Sequence, residues 1–198
     1  MPARLTDTER EPIRRRLLDV AARLFVQYGR DGLTMRRLAA EVGYSTMALY
    51  RWFKNKDELV VALRVDGFHR LGDRLGAAYA LPGTAQERHR AVIAAYFAFA
   101  KENPNFYRVL FDAPFDEASA PPELLAARAC LALPMAAHAE LARAEGLDVD
   151  IAQFAGQMWA ALHGAILLDD VGLYGLDVMA VHEATIEALI AKHRPAKP

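Results

Sequence analysis

The residues best suited to chemistry lie between positions 34 and 56, and the chemistry that they indicate is binding to double-stranded DNA. Hydroxyl, cationic and aromatic side chains recur there at spacings that place several of them on exposed sides of two short helices. Lysine and arginine contact phosphates, and arginine can also read guanine through two hydrogen bonds. The candidate DNA-binding residues are Thr34, Arg36, Arg37, Ser45, Thr46, Met47, Ala48, Tyr50, Arg51, Trp52 and Lys56.

Two short helices joined by a glycine turn must position these side chains. Thr34 suits the N-cap of the first helix, and Gly43 suits the left-handed residue that ends it. Ser45 suits the N-cap of a second helix that carries Tyr50, Arg51 and Trp52. In such a helix-turn-helix the second helix enters the major groove while the first crosses the phosphate backbone.

The side chains of this unit divide into base-reading and phosphate-binding groups. Residues 45–48 fall in the first turn of the second helix, where side chains meet base edges, and Arg51 suits a guanine or a phosphate. The two helix N-termini offer backbone N–H groups to phosphates. The phosphate contacts are assigned to Arg36, Arg37, Tyr50 and Lys56. The alternative for Tyr50 and Trp52 is an ordinary role as core aromatics.

The charge of the chain is distributed unevenly. Residues 1–56 contain twelve Lys and Arg against six Asp and Glu, a formal charge of +6. Residues 57–198 contain twelve against nineteen, a formal charge of −7. A basic head on an acidic body indicates a polyanionic partner for the head alone.

The composition predicts an all-α chain of about nine helices. Ala and Leu dominate, 54% of the 198 residues are hydrophobic, and no alternation typical of strands occurs. Thr8 and Glu11 form a capping box that predicts the start of the first helix, and Pro134 predicts a kink or a break in a later one. We predict two domains, residues 1–56 and residues 57–198.

Residues 13–63 resemble the N-terminal domain of the TetR family of bacterial transcriptional repressors. The matching residues are Leu24, Phe25, Gly29, Thr34, Leu38, Ala39, Gly43, Ser45, Leu49, Tyr50, Phe53, Lys56 and Leu59. The chain departs from the family at Thr46 and Met47, where a lysine or proline followed by a small residue is common. The resemblance implies a homodimer that reads a near-palindromic operator and is released from DNA by a small ligand.

The second half resembles the WHG subgroup of TetR-type C-terminal domains. The resemblance rests on WAALHG at 159–164 and on NPNFYRVLF at 103–111, and it extends over roughly residues 80–185. It implies that residues 57–198 bind the ligand and form the dimer.

Aromatic and sulfur-containing side chains of the second domain suggest a ligand cavity. An apolar cavity with a few polar groups is the usual form of a small-molecule site, so the composition favours an apolar or aromatic effector. The candidate ligand-binding residues are Tyr96, Phe99, Tyr107, Phe111, Met135, His138, Trp159 and His163. For His163, a hydrogen-bonded core histidine is the alternative.

Two late helices are predicted to form the dimer. The helix Phe154–Val171 is apolar on nearly all sides, so its two faces need two covers, one of which a partner chain can supply. The helix Val178–Leu189 adds a second apolar strip with His182, Thr185 and Ile186. Two such helices from each subunit would make a four-helix interface. The alternative is a core helix of a monomer.

Other kinds of site find little support. No histidine pair has metal-ligand spacing with an evident third ligand, no phosphate-loop, dinucleotide or nucleophile motif occurs, and no cofactor is expected. Cys130, the single cysteine, is expected to be buried and inert. Ile151–Leu168 approaches the length of a membrane span, but acidic residues flank it and a buried helix explains it better. We expect a cytoplasmic protein, because no signal peptide precedes the first helix.

These observations leave three classes of function. The leading one is a ligand-released, homodimeric repressor of the TetR type. The second is a ligand-binding helical dimer whose helix-turn-helix is architectural or binds a protein rather than a specific operator. The third is a small helical enzyme, which nothing in the sequence supports because no nucleophile and base are brought together.

Overall fold

The part of the chain that the structure describes consists of α-helices without a β-strand, which confirms the all-α class. The structure, a computed structural model, describes residues 6–111, 115–172, 175 and 177–194. The helices are α1 (Asp7–Gly32), α2 (Met35–Val42), α3 (Thr46–Leu49), α4 (Lys56–Tyr79), α5 (Ala85–Glu102), α6 (Pro104–Phe111), α7 (Pro122–Arg128), α8 (Ala132–Ala144), α9 (Ile151–Asp170) and α10 (Val178–His193). A 3₁₀ turn at Ala129–Leu131 joins α7 to α8, and counting these three as one interrupted helix gives the predicted nine.

The first helix begins two residues earlier than the sequence pattern predicts. The T-x-x-E pattern occurs twice, and α1 uses the first copy, Thr6 with Glu9, instead of Thr8 with Glu11. Thr6 Oγ1 accepts from the backbone N–H of Glu9 at 3.3 Å, and the carboxylate of Glu9 accepts from the backbone N–H of Thr6 at 2.8 Å. Both halves of the capping box are therefore formed at the earlier position.

The break predicted at Pro134 occurs slightly before it. Pro134 is the third residue of α8, and the 3₁₀ turn Ala129–Leu131 precedes that helix. Proline cannot donate to the carbonyl one turn earlier and crowds the preceding residues. The irregularity therefore falls on the N-terminal side of the proline.

Packing divides the chain into two compact units. The first contains Met1–Arg70 and Asn103–Arg128, and the second contains Leu71–Glu102 and Ala129–Pro198. In the first, α1 packs against α2 and α6. In the second, α5 packs against α8, and α9 packs against α8 and α10. The functional boundary at residues 56 and 57 stays a prediction, because a division by packing need not coincide with one by function.

The core of the second unit is built around α9. Phe154 and Met158 are 2% and 0% exposed and cluster with Ala142 of α8. Ile186 and Leu189 of α10 pack against this cluster. One face of α9 is thus covered within its own chain. This is the first of the two covers that the apolar sequence of this helix requires.

Two segments, Pro122–Ala144 and Ile151–Asp170, are long and apolar enough to cross a membrane by length and composition. The core helices of soluble proteins pass the same test, so this is weak evidence. The first segment is interrupted by the 3₁₀ turn, and the second packs between α8 and α10.

A glycine allows α4 and α6 to approach closely in the first unit. A Cβ at Gly67 would lie 3.1 Å from Leu110 Cδ2 and 3.2 Å from Phe106 Cδ1. Both neighbours are buried, at 3% and 4% exposure, so they have little room to move. A Cβ at Gly76, in the same helix, would meet no atom within 4 Å.

We expect Gly67→Ala and Gly76→Ala to differ in stability by at least about 1 kcal/mol. Alanine favours a helix over glycine by roughly 1 kcal/mol, and Gly76→Ala should gain most of this. At Gly67 the crowding against Phe106 and Leu110 should cancel or exceed the same gain. Urea denaturation of both variants measures the difference, and equal stabilisation would contradict the close approach.

Candidate nucleic-acid interface and effector site

The helix-turn-helix forms through the caps that the sequence predicts. Thr34 Oγ1 accepts from the backbone N–H of Arg37 at 3.1 Å, and Ser45 Oγ accepts from that of Ala48 at 3.1 Å. Gly43 ends α2 with φ 76° and ψ 26°, the left-handed conformation that a residue with a side chain rarely adopts. These caps hold α2 and α3 on either side of a three-residue turn.

The second helix of this unit is shorter than predicted. Regular α-helix ends at Leu49, and Tyr50, Arg51 and Trp52 lie in the turns that follow. The backbone N–H of Trp52 donates to the carbonyl of Leu49 at 2.8 Å, a 3₁₀-type bond. This tightening turns the chain so that the next residue, Phe53, is 2% exposed and packs in the core. The placement of residues 50–52 on a regular helix is therefore wrong.

The predicted base-reading residues are unequally exposed. Met47 is 75% exposed, the largest value among the large apolar side chains of the described residues, and Tyr50 is 46% exposed. Arg51 is exposed, whereas Thr46 and Ala48 are half-buried. Met47 is thus the most accessible apolar contact for a base edge.

Two of the predicted phosphate ligands are already held by neighbours. The Arg37 guanidinium lies 4.0 Å from the ring centroid of Tyr28 and donates to the carbonyl of Gly32. Lys56 Nζ lies 3.5 Å from the carbonyl oxygen of Asp31 and 3.7 Å from its carboxylate. These contacts pre-position both cations, and Lys56 would exchange Asp31 for a phosphate on binding. Tyr28 and Asp31 were not among the predicted residues, because their positions at the end of α1 carry no local signal for these contacts.

The side chain of Trp52 packs against its own chain and is only partly exposed to solvent. It is half-buried, and the Arg10 guanidinium lies 4.7 Å from the centroid of its ring. The core-aromatic alternative therefore fits Trp52 better than it fits the exposed Tyr50. A direct DNA contact by Trp52 stays a prediction.

Six of the eight predicted effector residues belong to the second unit. Trp159 Nε1 donates to the hydroxyl of Tyr96 at 3.1 Å, and its ring stacks on His163 with centroids 4.8 Å apart. Phe99 is fully buried, whereas Met135 and Trp159 are each 41% exposed. The structure thus joins Tyr96, Trp159 and His163, and Met135 faces solvent in the single chain.

The other two predicted effector residues, Tyr107 and Phe111, belong to the first unit, where their ring centroids are 4.9 Å apart. A cavity of about 210 Å³ also lies in this unit, between α1 and the end of α2. Its lining contains none of the predicted effector residues. The lining residues are Pro12, Ile13, Arg16, Leu17, Val42 and Tyr44.

Three buried histidines form a cluster in the second unit, on α5, α8 and α10. His89, His138 and His182 are 3%, 2% and 1% exposed. His89 Nε2 and His138 Nδ1 are 2.8 Å apart, and the rings of His89 and His182 stack with centroids 5.9 Å apart. Burial is the main cause that lowers the pKa of His89 to about 3 and those of His138 and His182 to about 4. The three imidazoles are therefore neutral at pH 7.

Only His138 of this cluster is among the predicted effector residues. His89 was missed, although it lies seven residues before Tyr96 and thus on the same face of α5. His182 was assigned to the apolar strip of the dimer, whereas the structure buries it within its own chain. Within the described ranges, no group of three or more His, Cys, Asp or Glu side chains is arranged to hold a metal ion.

Cys130 is half-buried rather than fully buried. Burial raises the pKa of its thiol to about 11. The thiolate fraction at neutral pH is therefore negligible, and the expectation of an unreactive side chain stands on this ground.

Two family profiles match the regions that carry this geometry. The family described as "Bacterial regulatory proteins, tetR family" matches residues 17–63, which contain the helix-turn-helix. The family described as "Tetracyclin repressor-like, C-terminal domain" matches residues 89–192, more than half of the chain. The chain belongs to the TetR family. It is therefore a helix-turn-helix transcriptional regulator, and the resemblance of residues 13–63 is confirmed.

Full-length relatives support the TetR assignment. HTH-type transcriptional regulator Rv1816 of Mycobacterium tuberculosis is 26% identical over 216 residues, which cover 92% of each chain. A protein of unknown function from Rhodococcus sp. RHA1 has a TM-score of 0.74 and 26% identity, over 98% of this chain and 100% of that one. The TetR family transcriptional regulator PfmR from Thermus thermophilus shares the fold, with a TM-score of 0.70 and 21% identity over 91% and 100% of the chains.

The C-terminal match is to a tetracyclin repressor-like domain and does not confirm the WHG subgroup of the TetR family. The subgroup assignment stays a prediction. The motif residues Trp159 and His163 do stack on each other, as their spacing of four residues in a helix allows.

Proposed function

We propose that this TetR-family regulator is a homodimeric repressor that a small ligand releases from a near-palindromic operator. The observation that carries the proposal is the exposure of Met47, Tyr50 and Arg51 beyond a capped turn on the basic head. The head places an apolar side chain and several cations together, which suits both base contacts and phosphate contacts. The protein acts as a regulator and not as an enzyme, in the cytoplasm.

The DNA contacts follow from the exposed side chains. Met47 meets a base edge, where its thioether suits a thymine methyl group. Arg36 and Arg51 are also exposed and contact phosphate or guanine. Tyr50 contacts the backbone on the same side, together with Arg37 and Lys56 once these leave their intramolecular partners.

Release by a ligand is assigned to α4, which runs without a break from Lys56 to Tyr79. A ligand that binds residues 57–198 favours one of two dispositions of this helix. Because half-sites lie about one helical turn apart, a small change in the spacing of two heads removes the match to DNA. The effector is a small apolar or aromatic molecule, to judge from the aromatic residues on α5 and α9.

Selection from random duplex DNA tests the proposal first. We expect the purified protein to enrich a near-palindrome, and we expect the logarithm of its binding constant to fall linearly with the logarithm of salt concentration. Salt-sensitive binding without an enriched sequence would instead support an architectural or protein-binding helix-turn-helix. DNA binding that does not respond to salt would exclude the operator-reading function.

The dimer interface is proposed on the outer face of α9. The small residues Ala152, Gly156 and Ala160 recur there every fourth position and are exposed. A Cβ at Gly156 or at Gly164 would meet no atom of this chain within 4 Å. Small residues allow another helix to approach closely. No described residue comes within 4 Å of these two Cβ positions, so we propose that α9 of a second chain covers this face and that α10 of each chain completes a four-helix interface.

A charge on this face should separate the dimer. We expect Ala160→Glu to shift the protein from dimer to monomer at micromolar concentration, because burying an unpaired carboxylate costs several kcal/mol. Ala77→Glu, at an exposed position of α4, is the matched control and should remain dimeric. Analytical ultracentrifugation of both variants measures whether each is a monomer or a dimer. A dimeric Ala160→Glu would place the interface elsewhere.

A further inference from the structure

The histidine cluster of His89, His138 and His182 has more hydrogen-bonding capacity than the described part of the chain satisfies. A neutral imidazole has one N–H donor and one acceptor nitrogen. The 2.8 Å contact between His89 and His138 uses one of each. Both ring nitrogens of His182 are buried and have no hydrogen-bond partner among the described residues. Leaving a buried polar atom unpaired costs roughly 1–3 kcal/mol, so these nitrogens require partners that the described residues do not supply.

The cluster also contains three basic imidazoles and no acidic side chain of the described residues to pair with them. Besides burial, the groups that lower the pKa values of this cluster are neighbouring histidines and, for His89, Arg90 of α5; no carboxylate of the described residues acts on it. Arg90 in turn faces Glu183 of α10 at 3.5 Å, where both side chains are exposed. A buried group of neutral bases is suited to binding a molecule that donates a proton or a hydrogen bond to an imidazole nitrogen.

The ring geometry argues against a metal ion at this place. The planes of His89 and His182 are within 11° of parallel. Nitrogen lone pairs lie in the plane of the ring, so two stacked rings do not direct them at a common point. This agrees with the lack of a suitable metal-binding group in the described part of the chain.

We propose that the cluster of His89, His138 and His182 binds the carboxylic acid group of an effector, and that binding brings one proton into the protein. This rests on the proposed function, in which residues 57–198 bind the ligand. An acid group carries a donor and an acceptor side by side, whereas a carboxylate only accepts. The two nitrogens of His182 lie on opposite sides of its ring, so the acid supplies one of their two partners.

The proton balance follows from the charge of the free acid. A carboxylic acid is ionised in water at pH 7. Inside the cluster it is held either as the neutral acid or as a carboxylate beside one protonated imidazole. Each form contains one proton more than the free protein and the free carboxylate, and solvent supplies it. The dissociation constant should therefore rise about tenfold for each unit of pH above 7.

The polar end and the aromatic end of the site share one helix face. His89 and Tyr96 lie two turns apart on α5, about 10 Å along the helix. The hydroxyl of Tyr96 already accepts from Trp159. An acid with an apolar body of six to twelve carbons spans this distance.

Calorimetric titration of the wild-type protein tests the inference. The probes are straight-chain acids of six to twelve carbons, phenyl-substituted acids of similar length, and the matching alcohols. Titration at pH 7 in phosphate and in Tris, whose ionisation enthalpies differ, counts the protons taken up. We expect at least one acid to bind with uptake of one proton, and its alcohol to bind at least tenfold more weakly with no uptake.

The variants His182→Gln and His69→Gln localise the effect. Glutamine keeps a donor and an acceptor but takes up no proton. His182→Gln should weaken acid binding at least tenfold, because an amide is a far weaker base than an imidazole, whereas the exposed His69→Gln should bind as the wild type does. If His182→Gln fails to fold, the pH dependence of the wild-type dissociation constant still tests the proton uptake, and a constant that does not change above pH 7 would contradict the inference.

Three results would overturn the inference. They are acids that bind without proton uptake or not at all, alcohols that bind as tightly as acids, and zinc ions that bind to the wild type but not to His182→Gln. Operator binding of the same samples separates this outcome from the proposed function. A protein that selects an operator but ignores every acid refutes the inference alone, whereas one that selects no operator refutes the proposed function.

Discussion

Lowering the pH from 7 to 5 is expected to reduce the free energy of unfolding by about 5 kcal/mol. Burial lowers the pKa values of His89, His138 and His182 from 6.5 to between about 3 and about 4. Between those values and 6.5 the unfolded chain binds protons that the folded chain does not. Stability is therefore complete above pH 6.5 and is lost as the pH falls, at about 4 kcal/mol per unit near pH 5 for three groups. Urea denaturation at several pH values measures it.

Other groups change this slope little in the same range. Burial raises the pKa of Asp66, which acts in the opposite sense, but it is one carboxyl against three imidazoles. The carboxyls with lowered pKa, such as Glu87 and Glu102, are exposed and titrate below 4.5. His138→Gln should reduce the slope by about a third, and His69→Gln should leave it unchanged. A free energy of unfolding that is constant from pH 7 to pH 5 would show that the cluster is not buried as described.

The decrease is large compared with the stability of ordinary domains, which is about 5–15 kcal/mol. The second unit should therefore unfold in mild acid before the exposed carboxylates are neutralised. A bound acid should oppose this effect, because it supplies the polar partner and holds the proton that the cluster otherwise excludes. The pH dependence of stability and that of ligand binding thus report on the same three side chains.

The helix-turn-helix could be predicted because its signals are local. Caps at Thr34 and Ser45 and a left-handed residue at Gly43 act within a few residues of their own position. Both N-caps and the left-handed glycine are present in the structure at the positions that the sequence predicts. Helix ends elsewhere in the chain follow the same logic, as the caps Asp150 and Asp177 show.

Features that depend on distant contacts could not be predicted. The early end of α3 follows from Phe53, which must reach the core, and periodicity alone does not give that distance. The histidine cluster joins three helices that are about fifty residues apart in sequence. Its members look like isolated histidines on apolar faces until packing brings them together. The position of Lys56 beside Asp31 is hidden for the same reason.

The second prediction with a large expected effect separates the residues that read bases from those that bind phosphates. We expect Met47→Ala to change the preferred base at one position of each half-site by a factor of about 5–100, the usual effect of one mismatched pair. Met47 is 75% exposed, so the change removes a surface side chain and leaves the fold intact. Repeating the selection from random DNA with the variant measures the change. An unchanged preferred sequence would move the reading face away from α3.

Lys56→Ala should behave differently, because phosphates carry no sequence information. Its affinity should fall for all sequences alike, and the slope against the logarithm of salt should decrease by about 0.9 for each phosphate that the lysine no longer neutralises, or about 2 in a dimer. Lys192→Ala, in the last turn of α10, is the control and should keep the wild-type slope.

Lys56 already lies within 3.7 Å of the Asp31 carboxylate, so a phosphate must compete with that partner. Asp31→Asn should therefore strengthen DNA binding where Lys56→Ala weakens it. If both variants weaken binding, Asp31 positions the lysine instead of competing for it.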